Sequence, residues 1–261
     1  MSNVLISLIN YADSSSIGGG SWRTTLPRTN VQDPRVSKVA RSATANTSDT
    51  KLSAPMGGKS VRLVAVYGHN LTAGATWTVL NGTTVIATGN AWPDGVVNAL
   101  YPGLIFCWLS SAETVSGSIV LEIDDSSNPA GYIDLGRLWI GGDGFQPGAG
   151  RNFKYGDRLD WEDPATVTES AGGAEYFSSL AKPRRIERLT MADLNDAEAL
   201  TVSQATGRGI ARQVFYCRDP AAAGDTLLHH TFLARQRALS ALETIALGLN
   251  SSALELREVN A

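Results

Sequence analysis

Two cysteines and three histidines in 261 residues leave little material for a disulfide framework, a metal centre or a nucleophile–base pair. Cys107 and Cys217 lie in apolar, strand-like runs, LIFCWL and RQVFYC, outside any CxxC, and read as buried small hydrophobes. His69 stands in a GHN turn with no carboxylate or cysteine at ligand spacing. It reads as a turn residue whose ring bonds the backbone. His229 and His230 are adjacent on an expected strand, so they point to opposite faces and cannot address one ion together. There is no GxSxG, HExxH or P-loop. These absences argue against an enzyme and imply no cofactor and no metal. Charge is also scarce: 18% of residues are charged, the net charge is −3, and no long run of either sign occurs. A nucleic-acid partner needs a concentrated cationic surface, so none is expected. No apolar run reaches the ~18 residues that span a bilayer. The N-terminus MSNVLISLIN lacks a basic region and a small-residue cleavage site, and reads as a first strand. A soluble, unprocessed chain without a membrane-spanning segment is therefore expected.

What is abundant points to β-structure: 26 glycines, six tryptophans and 43% hydrophobic residues. Val4–Ile9, Val61–Tyr67, Ala75–Leu80, Leu104–Leu109 and Gly117–Asp124 read as short strands between turn signals. Asn81-Gly82 predicts a hairpin joining the Trp77 strand to Thr84–Ala87. Such strands, with hardly any helix, predict an antiparallel β-sandwich or jelly roll over residues 1–145. Trp22–Pro55 is polar, with three prolines, and too long for an ordinary loop. It must wrap over the sandwich or contact another subunit. Both this segment and a second long polar loop, Arg151–Arg184, are expected to be mobile in the isolated chain and to order against neighbouring subunits.

The stretch GYIDLGRLWIGG, Gly131–Gly142, reads as the strand on which this first unit closes. Ile133, Leu135 and the Arg137 stem share one face, and Tyr132, Asp134, Leu138 and Ile140 mostly the other. Gly136 in its middle predicts a bulge or a close backbone approach. The glycine-rich GGDGFQPGAG then passes the chain to a second β-rich domain, 146–261. That loop is no dinucleotide site, because no helix follows and no βαβ unit surrounds it.

The second domain opens on a long polar loop, Arg151–Arg184. Strands are expected at Arg185–Thr190, Ala211–Tyr216, Leu228–Ala234 and Ala253–Val259. Thr190 with Asp193 resembles a capping box, and apolar spacing predicts one short helix near 193–206, closed by Gly207 and Gly209. Residues 238–247 suit helix or strand, and strand is favoured.

Few residues invite a binding role. Asp124, Asp125 and Asn128 match no EF-hand and read as turn-forming side chains. Trp77 and Trp108 lie within apolar strand patterns and read as core. Trp92, in NAWPDG, is the best candidate for an exposed aromatic. It would pack on another chain in an assembly protein and face solvent beside polar groups in a lectin. Arg184, Arg185 and Arg188 form a basic cluster, read as a subunit contact or a solvated edge.

The series RVSKVAR (35–41), VRLVAVYGHNL (61–71), ATWTVL (75–80) and GYIDLGRLWI (131–140) resembles the N-terminal domain of minor tail proteins of long-tailed bacteriophages. RNFKYG, AGG (171–173) and the Arg184-Arg185 pair are similar to their second half. The resemblance implies a galactose-binding-like jelly roll in the N-terminal domain. It also implies a structural virion protein at the tail tip or baseplate, made in the host cytoplasm. Its partners would be tail-tube, distal tail and hub proteins, and it would be a homo-oligomer in a ring or attached to a hub. The alternative is a carbohydrate-binding module for a host-surface glycan, with Trp92, Arg184 and Arg185 as possible glycan or partner contacts.

Overall fold

Period-2 alternation decides most of the structure. In Ser118–Asp124 (SIVLEID), Ile119, Leu121 and Ile123 are buried while the residues between them are not. The computed structural model describes residues 3–148, 153, 156–178, 182–237 and 241–259. It is mainly β, with two α-helices among those residues. The chain divides into two compact units, one of residues 1–149 with 214–233, the other of 150–213 with 234–260. The change of unit after residue 149 falls close to the glycine-rich stretch. The return of 214–233 to the first unit lies outside an expectation of one continuous domain over 146–261. Of RNFKYG, only Phe153 and Gly156 are among the described residues.

The first unit begins with β1 (Leu5–Ser7), β2 (Ala40–Arg41), β3 (Leu52–Pro55) and β4 (Lys59–His69). It continues through β5 (Thr76–Asn81), β6 (Thr84–Asn90), β7 (Leu104–Val115), β8 (Ser118–Asp124) and β9 (Asp134–Gly141). Two four-stranded antiparallel sheets result, in the orders β2-β9-β4-β7 and β3-β8-β5-β6. The expected Asn81-Gly82 hairpin is present, with Gly82 at φ +64° where a side chain would be strained. In β9 every residue after Asp134 is buried, Arg137 included. Its guanidinium is accommodated by Asp13 at 2.7 Å and by the carbonyls of Val31 and Gln32. Gly136 sits where a Cβ would lie 2.6 Å from the Tyr67 carbonyl and 2.9 Å from that of Val36. The mid-strand glycine is thus a close backbone approach.

Residues 22–55 are largely irregular, yet they wrap over this unit and are tied to it. A 3₁₀ turn, Arg28–Gln32, places Val31 in the core, and Val36 follows it there. Gln32 donates to the carbonyls of Ala12 and Ser15, and Thr50 to that of Ile123. The alternative that this segment needs a neighbouring subunit to order it is corrected. Its polar side chains satisfy backbone groups within the unit, which offsets the entropy of ordering it.

Chain order continues with β10 (Arg158–Glu162), β11 (Thr166–Glu169), β12 (Glu175–Ser178), β13 (Arg184–Leu194) and α1 (Asp196–Gly207). The long loop expected over Arg151–Arg184 is corrected, since three short strands fall within it and pair antiparallel despite their polar composition. The capping box of α1 is Asn195 with Glu198, not Thr190 with Asp193. Thr190 remains in β13, and Asp193 turns the chain at φ +59°. Back in the first unit, β14 (Gln213–Cys217) pairs with β1, and Phe215 stacks on Phe106. The strand expected at Leu228–Ala234 is corrected. Residues Gly224–His230 form helix α2, and only then does β15 (Thr231–Gln236) begin. The first turn of α2 is held by Asp94, whose carboxylate accepts from the Asp225 N–H at 3.0 Å. A residue 131 positions away supplies that cap. The second unit is completed by β16 (Leu242–Ala246) and β17 (Leu249–Glu258). The favoured strand within 238–247 is thus present from Leu242, and residues 238–240 lie outside the described residues.

Candidate interaction surface

The three residues singled out for contact have different fates. Trp92 is only 4% exposed, donates through Nε1 to the Leu71 carbonyl at 2.9 Å, and meets His69 edge-on. The expectation of an exposed aromatic is corrected: a loop-like sequence context did not reveal that Leu71 and His69 would enclose the indole. Arg184 and Arg185 are consecutive in β13, so they face opposite sides of the sheet. Arg185 is buried against Glu258, with Nε at 2.9 Å and Nη2 at 2.5 Å from its carboxylate. It is an internal ion pair, so no contact role remains for it. Arg184 lies half-buried on the other side, 2.9 Å from Glu162.

That other side carries a charged grid across four strands of the second unit. The first row runs Arg158, Arg188, Glu255, with Arg237 bonded to Glu255 at 2.8 Å. The second runs Asp160, Ile186, Arg257, Arg235, and the third pairs Glu162 with Arg184. Asp160 bonds Arg188, Glu255 lies 3.4 Å from Arg188, and Glu162 lies 2.6 Å from Arg257. The Arg257 guanidinium is the largest influence holding the Glu162 carboxyl below its usual range against burial, with Arg184 and Arg237 acting in the same direction. The grid holds six arginines and three carboxylates. Two of its register pairs, Arg158 with Arg188 and Arg235 with Arg257, set like charges directly opposite each other. Arg235 has no ion pair among the described residues, and its Nε is buried without a hydrogen-bond partner. Sequence reading found Arg184 and Arg188 but missed the rest. The signal was available as charges at every second position in RLDWE, RRIER, ARQR and ELRE.

The second unit also exposes apolar hairpins. All eight strand residues of β11 and β12 are exposed. Register places Val167 opposite Phe177 and Glu169 opposite Glu175 on one face, with Tyr176 opposite Thr168 on the other. Phe177 is 70% exposed. The β16–β17 hairpin likewise exposes Leu242, Ile245 and Leu249, and Leu247 at its tip stands free of any cover. A two-stranded ribbon with apolar residues on both faces buries too little to be stable alone.

His229 and His230, expected on opposite faces of a strand, instead end α2 with their rings 4.7 Å apart, and His229 Nδ1 lies 2.6 Å from the Tyr101 hydroxyl. Asp125 accepts from the Thr72 N–H and hydroxyl and from Asn128, as a turn-forming side chain does. Among the described residues no group of three His, Cys, Asp or Glu could hold a metal, and no helix is long and apolar enough to cross a membrane. Burial pushes both thiols up to about 12. Native protein at pH 8 should therefore resist alkylation at Cys107 and Cys217, and both should react in denaturant, as peptide mass mapping would show.

The ring of His69 accepts from the Leu71 N–H at Nδ1 (3.2 Å), and Nε2 is buried. Burial lowers its pKa to about 4, against the Asp125 carboxylate and backbone contacts that act to raise it. The unfolded chain takes up this proton near pH 6.5, the folded chain only near 4. The contribution of His69 is thus complete above 6.5 and is lost as pH falls towards 4, by up to ~3 kcal/mol. Urea denaturation of His69→Gln across that window should show a shallower fall in stability than the parent.

The surface that remains is a charged sheet face with exposed hairpins in one unit, and comparison with known proteins adds no identity to it, since no family model and no curated protein matches the chain.

Proposed function

We propose that the protein is a structural assembly component, and that the second unit is its contact unit. The observation that carries this reading is the β11–β12 hairpin, whose strand residues are all exposed, Val167, Tyr176 and Phe177 among them. Ribbons of this kind gain their stability when a neighbour covers them. The resemblance to minor tail proteins gives this reading its setting: a virion protein of a bacteriophage tail tip or baseplate, meeting tail-tube, distal tail or hub proteins. In the same reading the two four-stranded sheets of the first unit are the faces of a galactose-binding-like jelly roll. They serve as a scaffold and carry no catalytic role. The burial of Trp92 within its own unit removes it as a contact in either reading, for another chain or for a glycan.

Hydrogen exchange tests the proposal. Amides of Thr166–Ser178 and Leu242–Leu249 should exchange within seconds in the isolated chain and be protected at least tenfold in the assembled particle. Trp22–Pro55, already tied to its own unit, should be slow in both states. Equal exchange of the hairpins in the two states would remove the basis for an assembly role.

A further inference from the structure

We infer that the charged grid of one copy receives the β11–β12 hairpin of a second copy of this chain. This deepens the assembly reading and rests on it. In the grid, six arginines face three carboxylates, so three positive charges have no counter-ion of their own. Asp160 lies between Arg158 and Arg188, Glu162 between Arg184 and Arg257, and Glu255 between Arg188 and Arg237. Arg235 is opposed only by Arg257. Like charges directly opposite in a ladder destabilise it, so this face is poised for an anion.

The hairpin has the converse defect. Glu169 and Glu175 are directly opposite each other next to its turn, with no basic partner among the described residues. On the same face Val167 and Phe177 stand exposed. Two carboxylates ahead of an apolar pair match a surface that offers guanidinium groups, whose flat faces also pack on aromatic rings. Docking would give each like-charge pair its counter-ions and cover Phe177.

A second copy fits better than nucleic acid. The chain as a whole carries −3, and the grid interleaves carboxylates among its arginines, which would repel phosphates along a track. The two surfaces are different patches of one unit, so the contact is head-to-tail. Each added copy leaves one grid and one hairpin free, which closes into a ring or extends as a chain.

Charge reversal tests this in the full-length protein. Arg158→Glu with Arg235→Glu converts both like-charge register pairs of the grid into opposite-charge pairs, so the melting temperature should not fall. Glu169→Lys with Glu175→Lys keeps a like-charge pair in the hairpin and should also leave it unchanged. Sedimentation velocity over a concentration series should show the parent associating beyond a dimer, less so as salt rises. Each double variant alone should associate on the order of a hundredfold more weakly. An equimolar mixture of the two should associate again, because grid and hairpin are complementary across the pair. A parent that stays monomeric at every concentration would overturn the inference. So would variants that associate like the parent, or a mixture that stays apart. Short duplex DNA retained by a monomeric parent and released by Arg158→Glu/Arg235→Glu would assign the grid to a polyanion instead. In all these cases, protection of the hairpins in the assembled particle still decides separately whether the chain is an assembly protein.

Discussion

Gly136→Val should lower the stability of the first unit by at least ~3 kcal/mol, a loss of roughly 6–12 °C in melting temperature, or prevent folding. The Cβ would meet the Tyr67 carbonyl at 2.6 Å, Val36 Cγ1 at 2.8 Å and the Val36 carbonyl at 2.9 Å. Two of those three atoms are backbone. One belongs to β4, the central partner of β9, and the other to the segment wrapped outside it. Neither can turn aside as a side chain would, so β9 must move away from β4 or the wrap must lift. Either shift disturbs Arg137, the next residue, whose guanidinium donates to Asp13 and to the Val31 and Gln32 carbonyls. Gly117 is the control. A Cβ there meets nothing within 4 Å and its φ is ordinary, so Gly117→Ala should cost nothing measurable. Thermal melts of the two variants beside the parent give the comparison. A Gly136→Val protein that melts like the parent would mean that Val36 and its segment yield freely, and that the wrap is loose.

The second large effect lies in the other unit. Glu258→Ala should destabilise it by ~3–5 kcal/mol, because the Arg185 guanidinium then keeps its charge in the interior without the carboxylate that accepts from its Nε and Nη2. The side chain of Arg185 is 1% exposed, and Glu258 accepts from its backbone N–H as well as from Nε and Nη2. These bonds tie β13 to the end of β17, so hydrogen exchange of those strands should accelerate first. Replacing both partners, Arg185→Met with Glu258→Leu, should recover part of the loss, since two apolar side chains remove both charges of the pair while Glu187, buried on the same face of β13, remains. If the double variant is as unstable as Glu258→Ala, the pair is holding the strands by geometry that hydrophobic packing cannot replace.

How much of this was legible in the residues can be judged from particular elements. Strands with strict alternation, such as β8, and the Asn81-Gly82 hairpin are local: side-chain period and turn chemistry decide them within a few residues. Helix α2 was not legible. Seven residues are too few to show a helical period, and its cap is supplied by Asp94 from a distant loop. Trp92 was misread for the same reason, because NAWPDG describes a turn and says nothing of what packs on it. The arginines of β13 were visible as a cluster, and strand alternation alone separates Arg185 from Arg184 and Arg188. Alternating charges mark a charged face on β10, β15 and β17 too, but which arginine meets which carboxylate was not foreseeable, because register between strands far apart in sequence leaves no mark on any one of them.

Composition and short-range pattern were therefore enough for a mainly β chain with few histidines and cysteines, and for a mid-strand glycine at a bulge or a close approach. Tertiary structure alone decided that residues 214–233 return to the first unit, that residues 22–55 wrap it, and that six arginines share a face with three carboxylates. The physical reason is the range of the forces involved. Turn preference and side-chain alternation act over a few bonds, whereas burial, counter-ion pairing and register depend on what long-range closure of the chain brings alongside.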